Sequence, residues 1–136
     1  MPGSLVTVRF NLENARRDLG ESVRLVDGGD PEEGYRVALR SRNGLFHARR
    51  AWCDLVGRNA PQMPVTGVAG GRREGHGPAG EALGLAIAAT RVDGREAAAA
   101  VEPHLQAAER GFIEYLGYLK DEVGRRMRAA SSPKSP

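Results

Sequence analysis

The chain has 136 residues, 40% hydrophobic and 27% charged. That length fits one domain, or one small domain with a helical appendage, and that composition excludes wholesale disorder. The formal net charge of +3 is too weak to imply a nucleic-acid ligand.

The charge is carried almost entirely by arginine, since Lys120 and Lys134 are the only lysines. Four pairs stand out, Arg16–Arg17, Arg49–Arg50, Arg72–Arg73 and Arg125–Arg126, interleaved with acids along the chain rather than gathered into one basic run. This pattern favours solvated arginines with local acidic partners over a phosphate-reading patch. Cys53 stands alone, so no internal disulfide forms and a reducing compartment is expected. The start, MPGSLVTVRF, has no basic region followed by an apolar run, and Ala82–Thr90 is too short to span a bilayer. A cytoplasmic protein is expected, with neither a membrane nor a nucleic acid as partner.

In chain order, residues 1–58 read as a β-rich region. Val6, Val8, Phe10 and Leu12 alternate with Thr7, Arg9 and Asn11, the period of a half-buried strand. Asn14–Gly20 is polar and turn-like. Ser22–Val26 gives a second strand, stopped by Asp27, Gly28, Gly29, Asp30 and Pro31. Tyr35, Val37 and Leu39 alternate in a third strand, and Asn43–Gly44 suits a hairpin turn. Leu45–Leu55 is open between strand and helix. The helix is tidier, because Leu45, Ala48, Trp52 and Leu55 follow 3–4 spacing, with Asn43 to cap it and Gly57 to end it.

Residues 59–80 read as a Gly/Pro-rich linker, mobile around a short extended piece at Pro64–Val68. From Glu81 the character is helical, to residue 129. Glu81–Val92 is Ala-rich, Asp93–Gly94 breaks it, and Arg95–Val101 is helical again. Pro103 either kinks this helix or opens a new one. The last helix carries one stripe: Leu105, Ala108, Phe112, Tyr115, Leu116, Leu119, Val123 and Met127. Gly111, Gly117 and Gly124 interrupt it, for close packing or by tolerance. Residues 130–136 read as a disordered tail. The fold class expected is therefore α+β: three or four antiparallel strands, then a helical hairpin with a long amphipathic last helix.

Few residues point to chemistry. His47, His76 and His104 lie far apart without a metal-ligand spacing, and Cys53 stands six residues from His47. No catalytic residue, metal or cofactor is expected, and the chain does not read as an enzyme. Gly75, Gly77 and Gly80 match GxGxxG before a helix, a weak phosphate-loop signal. No strand delivers the loop and no acid follows about 20 residues on. Tyr35 and Trp52 are rings that could stack on a sugar, although Trp52 also suits the core of a ring-poor chain.

The motif Val6-Thr7-Val8-Arg9-Phe10-Asn11, followed at the matching distance by Gly20-Glu21-Ser22-Val23-Arg24-Leu25-Val26, resembles the opening of starch-binding modules of the glucoamylase type. Pro31-Glu32-Glu33-Gly34-Tyr35 and Val37-Ala38-Leu39 extend the resemblance, which covers residues 5–55, with Tyr35 where that family carries tryptophan. It implies a β-sandwich that binds α-glucan, with Tyr35 and Trp52 as the stacking rings. The residues alone favour a non-catalytic interaction protein that binds a protein partner, or itself as a homodimer, through its sheet and last helix. On that helix Leu105, Phe112, Tyr115, Leu116, Leu119 and Val123 are the candidate contacts.

Overall fold

The Ser4 side chain accepts a hydrogen bond from the Thr7 backbone N–H at 3.2 Å, the signature of a helix N-cap. In the computed structural model, which describes residues 4–57, 71–92 and 95–131, the helix that starts there is α1, Leu5–Asp27. It is followed by α2 at Pro31–Val56, a single 3₁₀ turn at Arg73–Gly75, α3 at His76–Ala89 and α4 at Arg95–Ser131. Most of the expected linker, with its extended piece at Pro64–Val68, lies outside the described residues, as does the tail from residue 132.

The α+β expectation is corrected: the described residues form four helices and no strand. The error has a physical source. An eight-residue segment, Leu5–Leu12, cannot by itself separate a period of 2 from one of 3.6. Val8 and Leu12 continue as Ala15, Leu19 and Ser22, the buried stripe of α1, while Val6 and Phe10 face solvent. The supposed turn at Asn14–Gly20 supplies Ala15 and Leu19 to that stripe. Ser22–Val26 ends α1, and Tyr35–Leu39 lies in the first turns of α2. Asn43–Gly44 sits inside α2, where a Cβ on Gly44 would lie 3.2 Å from the Ala15 Cβ. The resemblance to starch-binding modules falls with the strands. Residues 5–55 are two antiparallel helices, and the carbohydrate-binding character goes with the sandwich that would have carried it.

The breaker cluster falls where the sequence puts it but joins helices. Gly29 has φ +91, the Asp30 carboxylate accepts from the Glu33 N–H at 3.2 Å, and Pro31 occupies the first turn of α2. Leu45–Leu55 takes its helical form, although the helix starts at Pro31 rather than Asn43. It ends at Gly57, whose φ of +72 turns the chain out of the helix. Further on, α3 begins at His76 rather than Glu81. α4 runs through Pro103 without a break, the proline lying on its exposed side where water can take the freed carbonyl.

The helices close into a ring in which α1 packs on α2 and α3, and α4 packs on α2 and α3. Every neighbouring pair is antiparallel. Ser22 meets Gly34 and Ala15 meets Ser41 between α1 and α2. Leu19 lies against Gly80 and Glu13 against Arg91 between α1 and α3. Arg49 pairs with Glu109, and Arg126 donates to the Gly29 carbonyl at 3.3 Å, between α4 and the first hairpin. α2 and α3 therefore run parallel, so Val56 and Arg73 stand at opposite ends of the bundle.

The tightest crossing is between α3 and α4. A Cβ on Gly75 would lie 2.8 Å from the Gly111 carbonyl oxygen and 2.9 Å from the Tyr115 nitrogen, and one on Gly111 would lie 2.7 Å from the Ala79 nitrogen. Backbone cannot yield as a side-chain end can, so both positions exclude a side chain. Gly75→Ala is expected to cost roughly 1–3 kcal/mol by overpacking. Gly77→Ala, two residues away in open space, should instead stabilise by about 0.4–1 kcal/mol. Urea unfolding of the two variants beside the parent measures both signs.

Candidate functional site

The interior is apolar apart from a few polar groups, most of them paired, the Trp52 indole N–H being buried without a partner among the described residues. The Ser22 hydroxyl donates to the Gly34 carbonyl at 2.6 Å and lies 2.9 Å from the Tyr115 hydroxyl. Ser22 has one hydroxyl proton, already given to Gly34, so Tyr115 is the donor in the second bond. Tyr115 reaches Ser22 across the centre of the bundle, and the His76 ring stands edge-on to it at 5.5 Å. Burial pushes the Tyr115 phenol above its ordinary value, against the opposing pull of Ser22 and Arg73. On the other side of α4, Arg49 forms a two-point ion pair with Glu109, with Arg49 Nη2 to Glu109 Oε2 at 3.0 Å. Both clusters link helices and are enclosed, and neither opens to a substrate.

The sequence candidates disperse. Trp52 is 3% exposed and belongs to the core, and Tyr35 packs half-buried against it. The two rings stand 17 residues apart on one helix, about 25 Å along its axis, so no sugar platform exists. Leu105, Phe112, Tyr115, Leu116 and Leu119 form the buried side of α4, and Val123 continues it half-buried. That stripe covers this chain's own core. Gly75 serves the helix crossing, and its N–H is bonded to the Arg72 carbonyl at 3.0 Å. Gly77 is exposed on the first turn of α3, and Gly80 faces Leu19. Cys53 is buried and free. The described residues contain no group of three His, Cys, Asp or Glu side chains able to hold a metal ion.

The surface feature that sequence reasoning missed is a groove of about 430 Å³ between α1 and α3, lined by Glu13, Arg16, Arg17, Gly84, Ile87, Ala88 and Arg91. Three guanidinium groups face one carboxylate there. Arg91 approaches Glu13 at 3.4 Å, whereas Arg16 and Arg17 form no ion pair among the described residues. The Arg16 guanidinium lies over Gly84, where a Cβ would come within 3.2 Å of Cζ.

Apolar side chains flank the groove. On α1, Val6, Phe10, Glu13 and Arg17 follow one another at helical spacing, all exposed. On α3, Leu85 and Ala88 continue into Val92 in the same way. Phe10 is 63% exposed, Val6 65%, Val92 58% and Leu85 47%. The other large exposed hydrophobics among the described residues, Leu55, Val56 and Met127, lie towards helix ends. The signal was present in the sequence: Arg9, Glu13, Arg16 and Arg17 recur at one helical face. It was masked by reading Leu5–Leu12 as a strand.

Two outcomes test the structural role of the enclosed clusters. Arg49→Met leaves the Glu109 carboxylate unpaired and should cost about 3 kcal/mol or more, while Arg49→Met with Glu109→Leu should recover most of it, as chemical unfolding will show. For Tyr115 the folded pKa lies above the ordinary value of 10.0. The stability it contributes is therefore complete below about pH 10 and is lost as pH rises through the folded value. Unfolding free energy measured from pH 8 to 11.5 should fall at the alkaline end, and Tyr115→Phe should flatten that fall.

No helix of the described residues is long and apolar enough to cross a membrane. In comparisons with protein-family models, curated proteins and solved structures, nothing matches this chain.

Proposed function

We propose that this chain is a non-catalytic binding protein that docks a protein partner on the face formed by α1 and α3. The observation that carries the reading is the coincidence of exposed Val6, Phe10, Leu85 and Val92 with an arginine-lined groove. Large apolar side chains exposed on the two helices that bound a groove favour an interaction site there. Aromatic and arginine side chains are the residues that concentrate binding energy at interfaces, where lysine is depleted. The chemistry of the groove supports recognition rather than turnover. Arginine keeps its proton throughout the neutral range and so offers charge and directed donors, not acid–base catalysis. The docking surface thereby moves from the sheet and last helix expected from sequence to the first and third helices.

A photo-reactive phenylalanine analogue placed at position 10 tests this, with the same group at His47, exposed on α2, as the control. Position 10 should give one discrete cross-linked protein, identifiable by mass spectrometry, and position 47 should not give it. Equal products from both positions would refute the docking face. An adduct of twice 14.6 kDa, matched by concentration-dependent sedimentation that Phe10→Ser abolishes, would make the partner a second copy of the chain.

A further inference from the structure

The α1–α3 face also carries information about what covers it. Resting on the docking reading above, we infer that the partner presents an acidic amphipathic helix. Its carboxylates enter the groove between Arg16, Arg17 and Arg91, and its apolar side chains cover Val6 and Phe10.

Three observations lead there. The first is charge. Around the groove three arginines oppose Glu13 alone among the described residues. Arg24, Arg36, Arg73 and Arg125 each have an acid at hand, and Arg50, Arg72 and Arg110, which form no ion pair there either, do not line the groove. Arg16 and Arg17 retain unused planar donor forks, and a carboxylate is the side chain that fits such a fork at two points. A second copy of this chain docked face to face would instead set arginine against arginine. Charge complementarity therefore selects an acidic partner over self-association.

The second observation is shape. The groove is an open channel between two antiparallel helices, so it covers one side of an occupant rather than enclosing a small molecule. Both walls are helical, and helices leave no row of free backbone N–H and C=O groups for a strand to join. No aromatic side chain lines the groove, which removes the stacked rings a proline-rich segment would use. A helix laid along the channel fits its ridge into the groove, as packed helices do.

The third is the floor. Because Gly84 has no side chain, the Arg16 guanidinium lies over α3 at that position, and Arg17 lines the same groove. On the same α1 face Phe10 lies one turn from Glu13, and Val6 one turn further. Apolar contacts from Val6 and Phe10 and a basic contact from Arg17 thus follow one helical line, the pattern an acidic amphipathic helix reads.

Selection from a phage-displayed library of helix-forming peptides on the intact chain tests the inference. Enriched peptides should carry Asp and Glu beside an apolar stripe. They should bind about tenfold more weakly to Arg16→Gln/Arg17→Gln and lose affinity as salt rises. The same charge removed elsewhere, in Arg50→Gln/Arg110→Gln, should leave binding unchanged. All four arginines are exposed, so circular dichroism of both double variants should match the parent. Neutral peptides that depend on Phe10 but not on Arg16 and Arg17 would overturn the acidic partner while leaving the docking face standing. Peptides indifferent to both sets, or a library from which nothing is enriched, would overturn both. Binding to phosphatidylglycerol–phosphatidylcholine vesicles that requires the same arginines, with no acidic peptide selected, would assign the charge to a lipid surface and also overturn the inference.

Discussion

A buried hydroxyl must find a partner, and in this bundle one such pairing sets the register of three helices. Tyr115 on α4 can give its proton only to Ser22 on α1, and Ser22 in turn gives its own to the Gly34 carbonyl on α2. Leaving any of these groups unpaired in an apolar interior would cost on the order of 1–3 kcal/mol, a large share of a small domain's stability. A shift of one residue in α1, α2 or α4 would break the chain of bonds, whereas purely apolar contacts would tolerate some sliding. The position of α3 follows from that of α4. Gly75 and Gly111 allow backbone to meet backbone at one depth only, and this seats Gly84 under Arg16 on the far side of α3. The groove is therefore a consequence of core packing, laid down by residues that never touch it.

The arginine-rich composition resolves into three physical roles. Arg49 is enclosed with Glu109 and ties α2 to α4. Its worth lies in specifying how those helices meet, because the cost of taking two charges out of water offsets most of their attraction. A second group forms exposed pairs one turn apart, such as Arg36 with Glu33 and Arg125 with Glu122, which hold those carboxyls below their usual range through direct hydrogen bonds. Such pairs contribute little to stability and keep the surface hydrated. Arg16 and Arg17, like Arg50, Arg72 and Arg110, form no ion pair among the described residues, but they alone of these line the α1–α3 groove. Their position beside exposed Phe10 and Val6 gives them meaning, because an unused guanidinium next to uncovered apolar surface suits recognition better than solubility.

Local order along the chain was legible wherever a residue's own chemistry dictated it. Gly28, Gly29, Asp30 and Pro31 stop one element and start another whatever surrounds them, through a left-handed φ, a capping carboxylate and a fixed proline φ. The C-terminal stripe from Leu105 to Leu119 was legible because it keeps one period over many turns. Val6 to Leu12 was misread because a short apolar run satisfies two periods at once, and only continuation through Ala15, Leu19 and Ser22 separates them. Reading that segment as a strand drew with it a resemblance to a β-sandwich and a sugar site for which Trp52 is too buried.

The sequence by itself determined the break at Asp27–Pro31 and the helix end at Gly57, the apolar stripe of the last helix, and that the charge is arginine scattered among acids. These are properties of single residues and of short-range periodicity, and they need no partner to express themselves. Tertiary structure alone decided that glycines read as a loop would serve a helix crossing, because a missing Cβ means flexibility in solvent and close approach against another backbone. It alone decided which arginines are satisfied, since Arg49 finds Glu109 sixty residues away while Arg16 forms no ion pair among the described residues. Whether a side chain is core, ion-pair partner or exposed contact depends on what the fold brings opposite it, and that is a property of the packed bundle.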